Sequence, residues 1–430
     1  MENGEASRDR RTRPLSIKRN MAWNSAGSFC NLFCQWLVTV LVLRLSTGYD
    51  AAGVYSYAMS VYLVFAPVVD YRLYVYQISD LHGEHTLGEY LGLRLVTGGI
   101  GIALLTVYSL VTSDPSLLPP ILCYALYKVT ASLLDGVHAF EQVNRRMDYI
   151  GVSYALQGLV TLVVFAGVFA ATQNLALALF CVFLGVCAVG VFYDLPHARY
   201  FTEFSVGIPW RRAWAMLVRC APAVLAFVTI SGATSIPRQY LMAAMGEAAL
   251  GAYGTMAAPM AIVQTGAAYI YNPLLGYFTE AYERCDAGRF WHLMGLVAAG
   301  IVAIGAVCVV GVELLGEFLY TLVYGARVAD YVYLLPPLVA GSLSIAFLSF
   351  MDSLSAAVRT FRTNLAGGTI ALAVSLAAMA PMVAAFQLNG VTYTVILACL
   401  CGGGFNMLAL RRSMARRFAQ GASDGPEGRD

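Results

Sequence analysis

Apolar runs bounded by charge recur along the chain at 21–43, 52–69, 95–112, 117–136, 149–171, 175–193, 215–236, 248–278, 293–312, 331–351, 365–386 and 391–410. Most are close to the roughly 20 apolar residues that a helix needs to cross a bilayer. The pattern predicts about twelve transmembrane helices. The eighth run is long and contains Pro259 and Pro273, which predicts a kinked or tilted helix. The seventh carries Arg219 and Pro222 near its start, and Pro237 follows its end; the Pro237-Arg238 step predicts a break in the helix. The first run is preceded by Arg8, Arg10, Arg11, Arg13, Lys18 and Arg19. It is too long for a signal-peptide core, ends at Arg44 and has no small-residue cleavage pattern, so it reads as a retained first span.

Composition strengthens this picture. The chain has 430 residues, of which 59% are hydrophobic and 12% charged, with a mean hydropathy of +0.67. Soluble domains carry about 25% charged residues, so lipid must cover much of this surface. The net charge of +2 gives no nucleic-acid signature. The placement of charge says more. With the N-terminus inside, the twelve runs put 23 of the 27 Lys and Arg residues in inner segments and three, Arg44, Arg238 and Arg327, outside. This asymmetry predicts an inner-membrane protein with both termini cytoplasmic. The outer loops are short, the largest spanning about 313–330. The tail from Gln420 is polar and Gly-rich, which predicts disorder.

The expected organisation is a cytoplasmic N-terminus (1–20), a first lobe of six spans (21–200), a second lobe of six spans (201–411) and a cytoplasmic tail (412–430). Gly53-Val54-Tyr55 opens the second span and Gly251-Ala252-Tyr253 the eighth, a faint sign of two lobes with one topology.

Ionisable residues inside spans are expensive and usually face polar surroundings. Lys128, Ser132 and Asp135 fall on one face of one helix: either the wall of a wet cavity or a polar clamp. Arg44 and Arg238, at outer helix ends, suit anion capture by guanidinium or snorkelling to headgroups. Asp70 and Arg72 close the second span as a gate or an interfacial anchor. Asp194 and Asp352 are expected at solvated helix ends. Tyr55, Tyr57, Tyr62, Tyr71, Tyr74 and Tyr76 read as an interfacial belt before a sugar-stacking surface. Cys30 and Cys34 share a helix face, but no spaced Cys or His accompanies them, so they read as packing residues and no metal site is expected. Gly98, Gly99 and Gly101, and Gly402, Gly403 and Gly404, lie in spans and read as close helix packing. No nucleotide loop, catalytic motif or cofactor site is expected.

Four stretches carry a family resemblance: Lys18-Arg19-Asn20-Met21-Ala22-Trp23-Asn24-Ser25; Gly53 to Ala58 with Tyr71-Arg72, Gln77 to Asp80, Glu89-Tyr90 and Arg94; Tyr127-Lys128-Val129 through Asp135 to Arg145-Arg146-Met147; and Ile236 to Tyr240 with Leu250 to Tyr253. The chain resembles the Wzx-like polysaccharide and O-antigen flippases of the multidrug/oligosaccharidyl-lipid/polysaccharide exporter superfamily. The resemblance, over about 15–415, implies an all-α fold of two six-helix lobes around a central cavity that opens alternately to each side. It implies an undecaprenyl-pyrophosphate-linked oligosaccharide as cargo, as in lipopolysaccharide synthesis, and cationic cavity residues, for which Lys128 and Arg238 match best and Arg44 and Arg72 less well. Asp135 and Asp70 are the coupling or gating candidates. The implied partners are membrane lipids, H+ or Na+ and other polysaccharide-assembly membrane proteins, with no nucleic acid. A drug or small-solute antiporter of the same superfamily remains an alternative. A membrane polymerase or glycosyltransferase would be a second, but the short outer loops oppose it.

Overall fold

A computed structural model of the chain describes residues 12–80, 83–358 and 360–423, and every regular element in them is helical. Arg8, Arg10, Arg11, Arg359, Arg429 and the end of the tail, 424–430, on which expectations fell, lie outside the described residues. Among the described residues, eleven helices are long and apolar enough to cross a membrane. Large apolar side chains such as Val111, Phe192, Val307 and Leu314 stand fully outward on them, as a hydrocarbon solvent permits.

The chain divides into two compact units, Met1–Val224 and Leu225–Asp430. Unit 1 contains α1 (Ile17–Leu45), α2 (Asp50–Asp70), α3 (Leu73–Ser79), α4 (Leu87–Thr112), α5 (Leu118–Val143), α6 (Met147–Thr172), α7 (Leu175–Val189) and the short α8 (Leu195–Ala198). A π-helical turn, Gly190–Asp194, joins α7 to α8. The boundary between units falls inside α9 (Trp210–Met245). Unit 2 continues through α10 (Glu247–Ala257), α11 (Met260–Tyr271), α12 (Leu275–Glu283), α13 (Ala287–Tyr324), α14 (Leu335–Ala357), α15 (Phe361–Phe386) and α16 (Leu388–Ser423).

The two proline expectations come out differently. The eighth run is more than kinked. It is broken at Ala258-Pro259 and again at the 3-10 turn Asn272–Leu274, leaving α10, α11 and α12. No piece of it reaches spanning length. The expected break at Pro237 is absent, and α9 runs through it. Proline displaces the hydrogen bond to the carbonyl four residues earlier, here that of Ala233. The Ser375 hydroxyl of α15 donates to that carbonyl at 2.7 Å and so relieves the helix.

Local sequence sets the helix ends. Thr86 and Glu89 form a reciprocal capping box at the start of α4, which satisfies amides that the first turn leaves bare. Tyr71 and Arg72 both adopt left-handed backbone (φ 45° and 58°) and stop α2 before α3. Asn20 donates to the Leu15 and Arg145 carbonyls and accepts from the Met147 amide at 2.8 Å. It thereby ties the start of α1 to the α5–α6 turn. Along the α1–α6 contact, a Cβ at Gly27 would overlap Gly151, and one at Gly151 would overlap the Trp23 carbonyl; the approach requires glycine.

Candidate functional site: a polar seam in unit 1

The buried interior of unit 1 is largely apolar and aromatic, and a continuous polar seam runs through it along one face of α5. Lys128 is half-buried. Its ammonium donates to Gln35 of α1 at 2.8 Å and lies 4.9 Å from the Tyr127 ring centroid and 5.8 Å from that of Tyr124. Gln35 in turn donates to Asn31. Tyr124 meets Tyr55, Tyr62 and Tyr127 edge-on. A Lys ammonium against tyrosine faces is held there by cation–π attraction as well as by hydrogen bonding.

One turn further on, Ser132 donates to Asp70 at 2.7 Å. The Arg94 guanidinium donates to the Ser132 carbonyl and to its hydroxyl oxygen at 3.2 Å. Arg94 is only 2% exposed, and two of its nitrogens have no hydrogen-bond partner among the described residues. Asp70 is exposed at the end of α2, with Arg94 and Lys128 both within electrostatic reach of it. Asp135 follows on α5 and accepts from the Tyr154 hydroxyl of α6 at 3.0 Å. Lys128, Asp70 and Asp135 are therefore brought onto one seam, whose Arg94 and unpaired guanidinium nitrogens give it capacity to bind an anion.

The other candidates lie elsewhere. Arg44 is exposed in the last turn of α1. Arg72 is half-buried in the break after α2. Arg238 belongs to unit 2, half-buried, with its guanidinium 5.9 Å from the Tyr253 ring centroid. Tyr253 and Thr392 pair their hydroxyls at 3.2 Å.

Several expectations are corrected. Arg94, counted as a loop cation, sits inside α4, because the capping box starts that helix eight residues earlier than the apolar run. Asp194 and Asp352 are buried, not solvated at helix ends; the π turn carries Asp194 inward, and Asp352 accepts from Asn364. The upstream tyrosines lie on no surface. Tyr55, Tyr57 and Tyr62 are buried, the Tyr71 hydroxyl donates to the Leu217 carbonyl, and Tyr74 donates to Gln142. Arg94, His138, Asp194 and Glu141 escaped notice as site residues. The spacing Asp135-x-x-His138-x-x-Glu141, one helix face in sequence, was the available signal.

No family model matches the chain. A curated relative, the capsular polysaccharide biosynthesis protein CapF of Staphylococcus aureus, is 21% identical over 385 residues, covering 88% of this chain and 96% of CapF. Among solved structures, the lipid II flippase MurJ in an inward closed conformation aligns with a TM-score of 0.70 at 10% identity, covering 90% of this chain and 87% of MurJ. A multidrug resistance MATE family transporter of the MOP superfamily, in its inward-facing conformation, gives 0.67 at 11% identity, covering 91% and 96%. The resemblance drawn from the sequence thus holds at the level of fold: this all-helical chain has the fold of MATE transporters and of MurJ.

Proposed function

From that fold and the capsule-synthesis relative, we propose that the chain is a flippase of surface-polysaccharide assembly, carrying a lipid-linked oligosaccharide of the undecaprenyl-pyrophosphate type across the bacterial cytoplasmic membrane. No bond is made or broken in this reading. The observation that carries it is the seam itself: Lys128 held by Gln35 and two tyrosines, beside Asp70, Ser132 and the under-bonded Arg94, within a lipid-facing helical unit.

The physical demand is simple. A sugar-pyrophosphate head loses its hydration in hydrocarbon, at a prohibitive cost. Cations and hydroxyls lining a path replace that hydration, while the polyprenyl tail stays in lipid. Lys128 and Arg94 supply charge to the head from unit 1. Exposed Asp70 competes with the anion for both seam cations and so keeps them from holding the head too tightly. Outward movement of negative charge is favoured by an inside-negative potential, by about 2.3 kcal/mol per charge per 100 mV. Both termini lie on the cytoplasmic side in this arrangement, as the Lys and Arg asymmetry requires.

A drug antiporter is the second reading, favoured by the MATE alignment. The two separate cleanly. In a cell that depends on this chain for surface glycan, Lys128→Ala leaves the lipid-linked precursor on the inner leaflet, with normal amounts of protein in the membrane. Normal surface glycan from that variant overturns the proposal. Loss of ethidium efflux on deletion of the gene, with glycan unchanged, favours the antiporter.

A further inference from the structure

Beyond the seam, α5 continues into a second group of ionisable side chains. His138 is fully buried. Its Nδ1 lies 3.4 Å from Oδ1 of Asp135, and its Nε2 lies 3.3 Å from Oδ1 of Asp194 and 3.0 Å from the Ser153 hydroxyl. A neutral imidazole has one donor and one acceptor nitrogen. Here each nitrogen faces a carboxylate, although Nδ1 makes no hydrogen bond among the described residues; the two flanking negative charges favour the doubly protonated ring. The Tyr154 ring stacks edge-on against it at 4.7 Å, and Gln157 donates to Ser153 at 3.0 Å.

Other charged and titratable groups face the same place from each packed element. Glu141, on the next turn of α5, is fully buried, and neither carboxylate oxygen has a hydrogen-bond partner among the described residues. A bare buried carboxylate is tolerable only as the neutral acid. From α6 come Asp148 and Tyr154, from the turn before it Arg146, and from the π turn Tyr193. Arg94 of α4 and Tyr74 of α3 face Asp135. The π turn is a second, independent sign. Such turns are rare and concentrate at functional sites, and this one ends on Asp194. Asp135 is 35% exposed while His138 and Asp194 are sealed, so of these three side chains Asp135 is the one that reaches the surface of unit 1.

We propose that His138, clamped between Asp135 and Asp194, is an exchangeable proton-binding site inside unit 1, and that its proton is the coupling ion of the export described above, on which this last clause rests. The site lies on the helix that carries Lys128 and Ser132. Loss of its proton leaves the two carboxylates facing a neutral ring and adds negative charge to the wall that the anionic head must pass. Proton release thus weakens head binding, and proton uptake restores it.

The test uses the full-length protein in lipid nanodiscs, labelled with 15N-histidine. The chain has five histidines, and His138→Gln assigns the ring in question. The expected result is a doubly protonated His138 at neutral pH that loses one proton reversibly on alkalinisation. Asp194→Asn and Asp135→Asn, which keep the side-chain shape, are expected to lower that midpoint by about one unit or more. A ring that stays singly protonated throughout overturns the site, as does a midpoint that neither variant moves; both results are independent of whether the chain exports anything. The second arm follows flipping of a fluorescent undecaprenyl-pyrophosphate-linked sugar in phosphatidylethanolamine–phosphatidylglycerol vesicles. Acceleration by a pH gradient, abolished in His138→Gln, supports coupling. Gradient-insensitive flipping by the wild type overturns coupling. A wild type that flips nothing at any pH, with a titrating His138, points instead to failure of the flippase proposal.

Discussion

Arg94 is the residue on which the seam depends most. Its guanidinium reaches across from α4 to Ser132 while Ser132 holds Asp70. Arg94→Met removes the cation and leaves the Ser132 carbonyl and the Asp70 carboxylate short of a donor or countercharge, which costs about 3–5 kcal/mol when the partner is buried. The exposed position of Asp70 softens this. The expected outcome is a chain that still inserts but melts at lower temperature in detergent, with the deficit partly rescued by Asp70→Asn. A melting temperature equal to wild type would show that the Arg94 contact carries no stability. Lys128→Arg is expected to retain partial transport, since charge remains, but a planar fork fits the Gln35–tyrosine cradle poorly; transport equal to wild type would mean that charge alone matters there. Lys128 and Asp135 were conspicuous in the sequence as charges inside an apolar run. Arg94 and Asp194 were not. Each lies near a run's end, where the sequence does not distinguish an interfacial charge from one folded inward by a cap or a π turn.

At the scale of the helix, α9 shows how a local rule is overridden from a distance. Pro237 frees the Ala233 carbonyl, and Ser375, 142 residues further along, accepts the role of donor to it. Ser375→Ala therefore leaves a buried carbonyl unpaired and is expected to cost about 1–3 kcal/mol. In a Pro237→Ala background the helix makes its own bond, so the same substitution becomes nearly neutral. A thermal-stability double-mutant cycle with additive effects would refute the pairing. Gly151→Leu, which forces a side chain into the Trp23 carbonyl, is expected to separate α1 from α6 and sharply reduce the yield of folded protein. Outside the spans, the loop after α3 carries a pH-sensitive fastening. Burial pushes the Asp80 carboxyl upward, but amide donations from Glu84 and His85 and the Tyr90 hydroxyl outweigh it and hold the group below its ordinary 3.8. Its contribution is complete above that value and is lost as the pH falls beneath it. Amide exchange of Glu84 and His85 is expected to be faster in Asp80→Asn at neutral pH; unchanged exchange would refute the fastening. Apolar periodicity revealed nearly all spans here, whereas the fractured crossing and the intact α9 were hidden because proline's effect depends on partners far away in sequence.

For the whole molecule, the count of crossings decides which side each loop occupies. Among the described residues, eleven helices span by length and composition, and the fragments α10, α11 and α12 must together make one more crossing for both ends to share a side. An alkaline phosphatase reporter inserted at Gly325 is then expected to be active, and one fused after Ala415 inactive. Inactivity at Gly325 with activity after Ala415 would mean that the fragmented segment does not cross. The arithmetic of Lys and Arg is what this expectation rests on, since one miscounted helix would reverse every later loop. The internal division of the molecule was less readable, because composition barely changes where unit 1 gives way to unit 2.

The stretch between α8 and the middle of α9 has a practical bearing on how the gene can be cut. Arg212 bridges to Glu89 at 2.6 Å, the Gly207 amide donates to the Gly88 carbonyl, and Ala213, Met216 and Leu217 fill a cluster with Leu73, Tyr90 and Leu93. A half-protein ending at residue 200 would leave that cluster as an open, greasy scar. One extended to Val224 carries its own plug, so co-expressed halves should reassemble more readily from the longer cut, although it severs a helix, than from the tidier-looking cut in the loop.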